Sequence, residues 1–214
     1  MNFKDFKKKV KACWKKFWFL LWKDDSLKGW IFSIVFLLLF IKLIFFPGLS
    51  LLTGTKLPLA IVESCSMYHE DNLFSNFDEW FERHEQKYER KRVDYEEFLE
   101  FPFKKGFNKG DILFIVGTSA EDLEIGDVIV FQGNQKNPII HRIIDKKISD
   151  TDNRTYFSTI GDNNNGQLDS EDRIYESQII GKAVFRLAPY VGWGKLIFFE
   201  FSRHPLERGF CSEN

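Results

Sequence analysis

Cysteine is scarce in this chain, with three residues among 214. Cys13, Cys65 and Cys211 form no Cys-x-x-Cys pair, which excludes a zinc ribbon and a dithiol redox motif. At most one disulfide, Cys65 to Cys211, is conceivable, because a membrane-length apolar stretch separates Cys13 from the other two. The position of Cys65 inside a strand end argues against even that pair. Histidine is also sparse, and none of His69, His84, His141 and His204 stands at ligand spacing to another His or Cys. No metal site is therefore expected. Net charge is nearly absent: 30 basic against 31 acidic residues gives −1. No basic patch with interleaved aromatics continues past residue 30, so nucleic acid is excluded as an expected partner. No internal repeat is visible.

Aromatic residues, by contrast, are plentiful: 24 Phe and 6 Trp. Many fall near the start. Residues 2–22 carry Phe3, Phe6, Val10, Trp14, Phe17, Trp18 and Leu21 at helical spacing among lysines. That pattern predicts an amphipathic helix lying on an anionic membrane face. Residues 30–52 form the one apolar run of membrane length, since about 20 such residues span the hydrocarbon. Lys42 interrupts it, at roughly 2.5–3.5 kcal/mol on insertion scales. Pro47-Gly48 is expected to end or kink the helix. Nine Lys and three acids precede Trp30. The positive-inside rule then puts the N-terminus in the cytoplasm and everything after about Thr53 on the outer face. The stretch reads as a retained signal anchor rather than a cleaved leader.

Beyond the anchor, residues 59–62 read as a short strand leading into Glu63-Ser64-Cys65-Ser66-Met67. Residues 75–91 predict a helix capped by Ser75 or Asn76, and 94–100 a second short one ended by Pro102. Strands follow at 111–116, 127–131, 138–144, 155–160 and 179–186, with Gly, Asn and Asp in the turns between them. The tail from 187 to 201 reads as a last strand or short helix resting on the membrane surface. The fold class is mainly β: an N-terminal transmembrane helix, then a β domain with a helical insertion. The domain divisions are 1–29 (basic, interfacial), 30–52 (anchor), 53–201 (β domain, insertion at 70–107) and 202–214 (tail).

Ser64-Cys65-Ser66-Met67, at the end of a strand beyond an anchor, resembles the nucleophile segment of type I signal peptidases. Four more segments follow in that family's order. They are Gly110-Asp111, Pro138-Ile139-Ile140-His141-Arg142, Gly161-Asp162-Asn163-Asn164 and Ile180-Gly181-Lys182-Ala183. The Pro-x-x-His-Arg context is similar to the archaeal and endoplasmic-reticulum forms, which use His where bacterial forms use Lys. The resemblance implies a membrane-bound serine endopeptidase that removes N-terminal signal peptides. It makes Ser66 the nucleophile, with the Ser66 N–H and Ser64 hydroxyl cradling the oxyanion. It makes His141 the general base, and a serine hydroxyl needs such a base. His69 is a rival base, three residues from Ser66 but on no orienting strand.

The carboxylate that should hold the imidazole is left open between Asp162 and Asp169, with Asp172 behind them, because the loop after Asn164 does not align without a gap. The family binds substrate as an added β-strand, which implies Ile61 and Val62 near the substrate pockets. Implied partners are preproteins with signal peptides, the lipid bilayer and the protein-export channel, and no cofactor is implied. Implied localisation is the cell membrane, single-pass. Two alternatives stand beside this reading: a related protease for a dedicated substrate, and a non-catalytic binding protein on the same fold.

Overall fold

The computed structural model describes residues 3–70 and 77–212. It divides into two units, residues 1–52 and 53–214.

In the first unit, α1 (Phe3–Trp22) follows the predicted helical spacing. Lys7, Lys8, Lys9 and Lys11 are exposed, as are Trp14, Trp18 and Trp22. Phe17 turns inward and packs edge-on against Phe32 and Phe36, with ring centroids 5.7 and 5.3 Å away. The last turns of α1 therefore rest on α2 (Leu27–Phe40), whose first turn Ser26 caps by accepting from the Gly29 N–H. Pro47 does not end the helix. A π-helical turn, Ile41–Phe45, precedes α3 (Phe46–Thr53). The wider turn makes room for a ring that would crowd an α-helical one and that brings no N–H. The continuous span Leu27–Thr53 is long and apolar enough to cross a membrane.

The second unit is built on one antiparallel seven-stranded sheet. Its strands are β1 (Leu59–Ile61), β2 (Ile112–Val116), β3 (Val128–Phe131), β4 (Ile139–Ile148), β5 (Thr155–Ile160), β6 (Ile174–Tyr175) and β7 (Ile179–Ala188). The order across the sheet is β1-β2-β7-β3-β4-β5-β6. Two-residue β6 was not legible in the sequence, being too short for an alternating pattern. The central strand β3 is buried on both faces, as its unbroken Val-Ile-Val-Phe run requires. One face packs Val128 and Val130 with Leu113, Ile115 and Met67. The other packs Ile129 and Phe131 with Ile139, Ile143 and Phe157.

The helical insertion is docked on the sheet rather than peripheral to it. It holds α4 (Phe77–Glu89) and α5 (Tyr95–Glu100), the latter capped by Asp94 accepting from the Glu97 N–H. The residues proposed to cap α4, Ser75 and Asn76, lie outside the described residues. Phe77, Trp80, Phe81, Tyr88 and Phe98 pack on Ile144 and Ile160 of β4 and β5. The tail forms α6 (Trp193–Leu196) and two 3₁₀ turns. Buried Lys109 secures it, donating to Glu200 and to the Glu207 and Gly209 carbonyls.

Candidate active site

Val62, Gly110 and Asp111 fix where the serine turn begins. The Val62 N–H donates to Asp111 O at 2.9 Å, and the Gly110 N–H donates to Val62 O at 2.8 Å. The Asp111 carboxylate is buried and accepts from the Asn108 and Tyr190 N–H groups and from Arg186. Gly110 has φ +91°, and a Cβ there would sit 2.2 Å from the Trp193 ring, so only glycine fits. The Gly-Asp pair thus locks the strand end that precedes Ser64. Val62 itself is buried in the core with Met67 and Leu113. Its side chain is closed off from solvent. Ile61, on the alternate face, is half-buried.

The turn that follows is held from the Gly-Asp-Asn box. The Asn163 N–H donates to Ser66 O at 2.8 Å, and its side-chain amide donates to Cys65 O at 3.0 Å. A Cβ on Gly161 would lie 2.7 Å from Ser66 O, so glycine lets the two segments touch. Ser66 is half-buried and Ser64 exposed, and their hydroxyls are 3.1 Å apart. Cys65, between them, is disulfide-bonded to Cys211. That corrects the expectation that the pair would not form. Cys65 leaves the strand before the turn, and the tail crosses the site to meet it.

His141 and Arg142 are neighbours on β4, so their side chains leave opposite faces of the sheet. His141 emerges beside Ile139 and Ile143. Its Nδ1 is hydrogen-bonded to the buried Glu171 carboxylate. Glu171 also accepts from the Thr159 hydroxyl at 2.9 Å and the Leu168 N–H at 2.7 Å. With Nδ1–H directed at Glu171, Nε2 is the ring nitrogen left to take a proton. No hydrogen bond joins Ser66 Oγ to His141; the Ser66 hydroxyl meets that of Ser64.

Neither expected aspartate faces His141. Asp169 and Asp172 are exposed. Asp162 lies on the Arg142 side, where it accepts from Arg142, Tyr88 and His69. The carboxylate that meets His141 is Glu171, a residue that sequence reasoning passed over because only aspartates were weighed. It immediately precedes Asp172, so the position was nearly reached. The length of the intervening loop hid the match.

Arg142 is fully buried, yet all five of its N–H groups find acceptors. Asp162 takes Nε–H and one from Nη2, and the Pro102, Phe103 and Gly126 carbonyls take the others. A buried guanidinium is tolerated only when so satisfied. Burial works to raise the Asp162 pKa, but Arg142 beside it and the His69 contact hold the carboxyl well below the usual carboxylate range.

His69, the rival base, donates from Nε2 to Asp162 at 2.9 Å and stacks flat on Trp80, with centroids 3.5 Å apart. Burial lowers its pKa to about 4, outweighing the pull of Asp162. The contact is therefore a neutral imidazole donating to a carboxylate that Arg142 already balances. One ring nitrogen is occupied and the other buried, so His69 is a core histidine.

Among the described residues no cluster of His, Cys, Asp and Glu is arranged to hold a metal ion.

No family model matches this chain. Curated proteins do. Over 90 residues, 39% of the chain, it is 33% identical to the signal peptidase complex catalytic subunit SEC11 of Lachancea thermotolerans. Over 170 residues, 75% of the chain, it is 26% identical to the SEC11C subunits of Homo sapiens and Canis lupus familiaris. The matches span 53% of the first relative and 67% of the other two. A curled antiparallel sheet, the ordered serine, histidine and Gly-Asp-Asn segments that it gathers, and these relatives point the same way: the chain is similar to signal peptidase catalytic subunits.

Proposed function

We propose that this protein is a membrane-bound serine endopeptidase that removes N-terminal signal peptides from preproteins. Ser66 attacks the scissile carbonyl. His141 takes the proton at Nε2 and returns it to the leaving amine. Glu171 holds the imidazole and stabilises its charged form. The Ser66 N–H and the Ser64 hydroxyl bind the oxyanion. The observation that carries the reading is the His141–Glu171 pair, buried and directional, on the strand beside the loop that grips the Ser66 turn.

Ile61, on the free edge strand β1, is the residue offered to substrate, which would add to the sheet as a further strand. The Lys-rich start favours a cytoplasmic N-terminus and a β domain on the outer face. The Cys65–Cys211 disulfide supports the same orientation, because such bonds persist in oxidising compartments. The cell membrane is the proposed site, with the export channel as the partner that delivers substrate. The docked insertion favours one variant of this reading, in which the substrates are a dedicated subset of preproteins.

The test is cleavage of a preprotein by the purified full chain. Ser66→Ala should abolish cleavage and leave the fold intact. Ser64→Ala should cost about 2.7–4 kcal/mol in transition-state stabilisation. Full activity in Ser66→Ala would overturn the assignment.

A further inference from the structure

The insertion reaches the loop after β5 through three side chains of α4 and the turn that follows it: Lys87, Tyr88 and Lys91. Lys87, near the end of α4, directs Nζ at three carbonyls: Gly161 O at 3.0 Å, Asp162 O at 2.6 Å and Asn164 O at 2.9 Å. These carbonyls flank Asn163, whose N–H and side-chain amide hold Ser66 O and Cys65 O. An ammonium has three N–H groups and no acceptor, so the three carbonyls saturate it. The reverse also holds. Three carbonyl oxygens aimed at one point repel one another unless a cation sits there.

We propose that Lys87 is a positioning residue for Ser66: its ammonium curls residues 161–164 so that Asn163 grips the nucleophile turn. The inference rests on the reading of Ser66 as nucleophile. A segment that the family resemblance leaves unexplained thereby becomes part of the active site's support. Lys91, one turn on, adds a second tie by donating to Gln167, which in turn donates to Thr159 O.

The charge on Lys87 is poised. Burial lowers its pKa to about 8, against the pull of Asp162 and Glu171 and with the push of Arg142. The Tyr88 ring lies 5.4 Å away on the same helix, and Lys91 faces the same loop. Once neutral, the amine keeps two hydrogens for three carbonyls and loses its charge. The folded pKa lies below the unfolded one, so between about 8 and 10.4 the unfolded chain binds more protons. The fold therefore gains stability from this group as pH rises through that window. A rate that falls there is not unfolding caused by Lys87.

The experiment compares the full chain with Lys87→Met and Lys87→Arg, each checked by circular dichroism and thermal melting. Three readouts are taken: kcat and KM on a preprotein, the pH profile from 6 to 10, and amide exchange at residues 161–164. In folded Lys87→Met, kcat should fall about 10²-fold with KM unchanged, the effect of a small misplacement of the nucleophile. Exchange at Asn163 should quicken in the same variant. The unsubstituted protein should lose rate above a midpoint of about 8. Lys87→Arg, which keeps its charge, should restore most of the rate and remove that loss. A folded Lys87→Met with unaltered kcat and Asn163 exchange would overturn the proposal. If the unsubstituted chain cleaves no preprotein, the parent reading fails instead, and the exchange comparison still decides whether Lys87 holds the loop.

Discussion

Replacing Glu171 with Gln is the sharpest probe of the site. The buried carboxylate serves three donors: His141 Nδ1, the Thr159 hydroxyl and the Leu168 N–H. Glutamine is nearly the same size but offers one oxygen and an NH2. At least one donor must then face another donor, at a cost of about 1–3 kcal/mol in stability. If the NH2 faces His141, the imidazole adopts the other tautomer and carries its proton on Nε2, where it cannot act as a base. Loss of the carboxylate from a Ser-His-acid triad lowers kcat by about 10⁴. At 1.36 kcal/mol per decade that is about 5.4 kcal/mol of transition-state stabilisation. The assay is preprotein cleavage by purified Glu171→Gln, with kcat and KM separated and folding checked by thermal melting. KM should stay constant, because the lost interaction matures only in the transition state. Asp169→Asn and Asp172→Asn are the controls, and both should be silent because these side chains are exposed. Asp162→Asn should instead unfold or severely destabilise the protein. It would strip a buried guanidinium of its counter-charge, at about 3–5 kcal/mol. A folded Glu171→Gln with kcat within a few-fold of the unsubstituted protein would refute the role given to Glu171.

The other predictions concern stability. His69 has its folded pKa lowered to about 4, so its contribution to stability is complete above the unfolded value near 6.5 and is lost as pH falls between the two. Urea melts should lose roughly 3 kcal/mol from pH 7 to pH 4 through this group. The decline should flatten in His69→Gln, whose amide can still donate to Asp162; an unaltered slope would contradict the neutral, buried assignment. The disulfide closes a sequence separation of 146 residues between Cys65 and Cys211. Cys211→Ser should cost about 2–5 kcal/mol in guanidinium melts. Titration of three free thiols in the non-reduced protein would show that the bridge does not form.

Local pattern alone determined much of this molecule. The candidate membrane span was legible because an apolar run of that length, even with Lys42 inside it, has few other uses. Six of the seven strands were legible because short apolar runs, mostly β-branched and bounded by turn residues, leave the backbone little choice. Ser66 and His141 were singled out as candidates because each lies in a short segment with several defining neighbours. Three features were decided only by the tertiary structure. Glu171 and Asp162 both follow β5, and nothing in their spacing says which meets His141. The pleat decides, because His141 and Arg142 leave opposite faces of β4 and Arg142 captures Asp162 on its own side. The Cys65–Cys211 bridge needed the tail to cross the site, a path set by buried Lys109 and not by any local preference. The insertion's role was equally hidden. Lys87 is one charged residue among many on an exposed-looking helix, and it gains meaning only where folding brings three carbonyls from a distant loop around its ammonium.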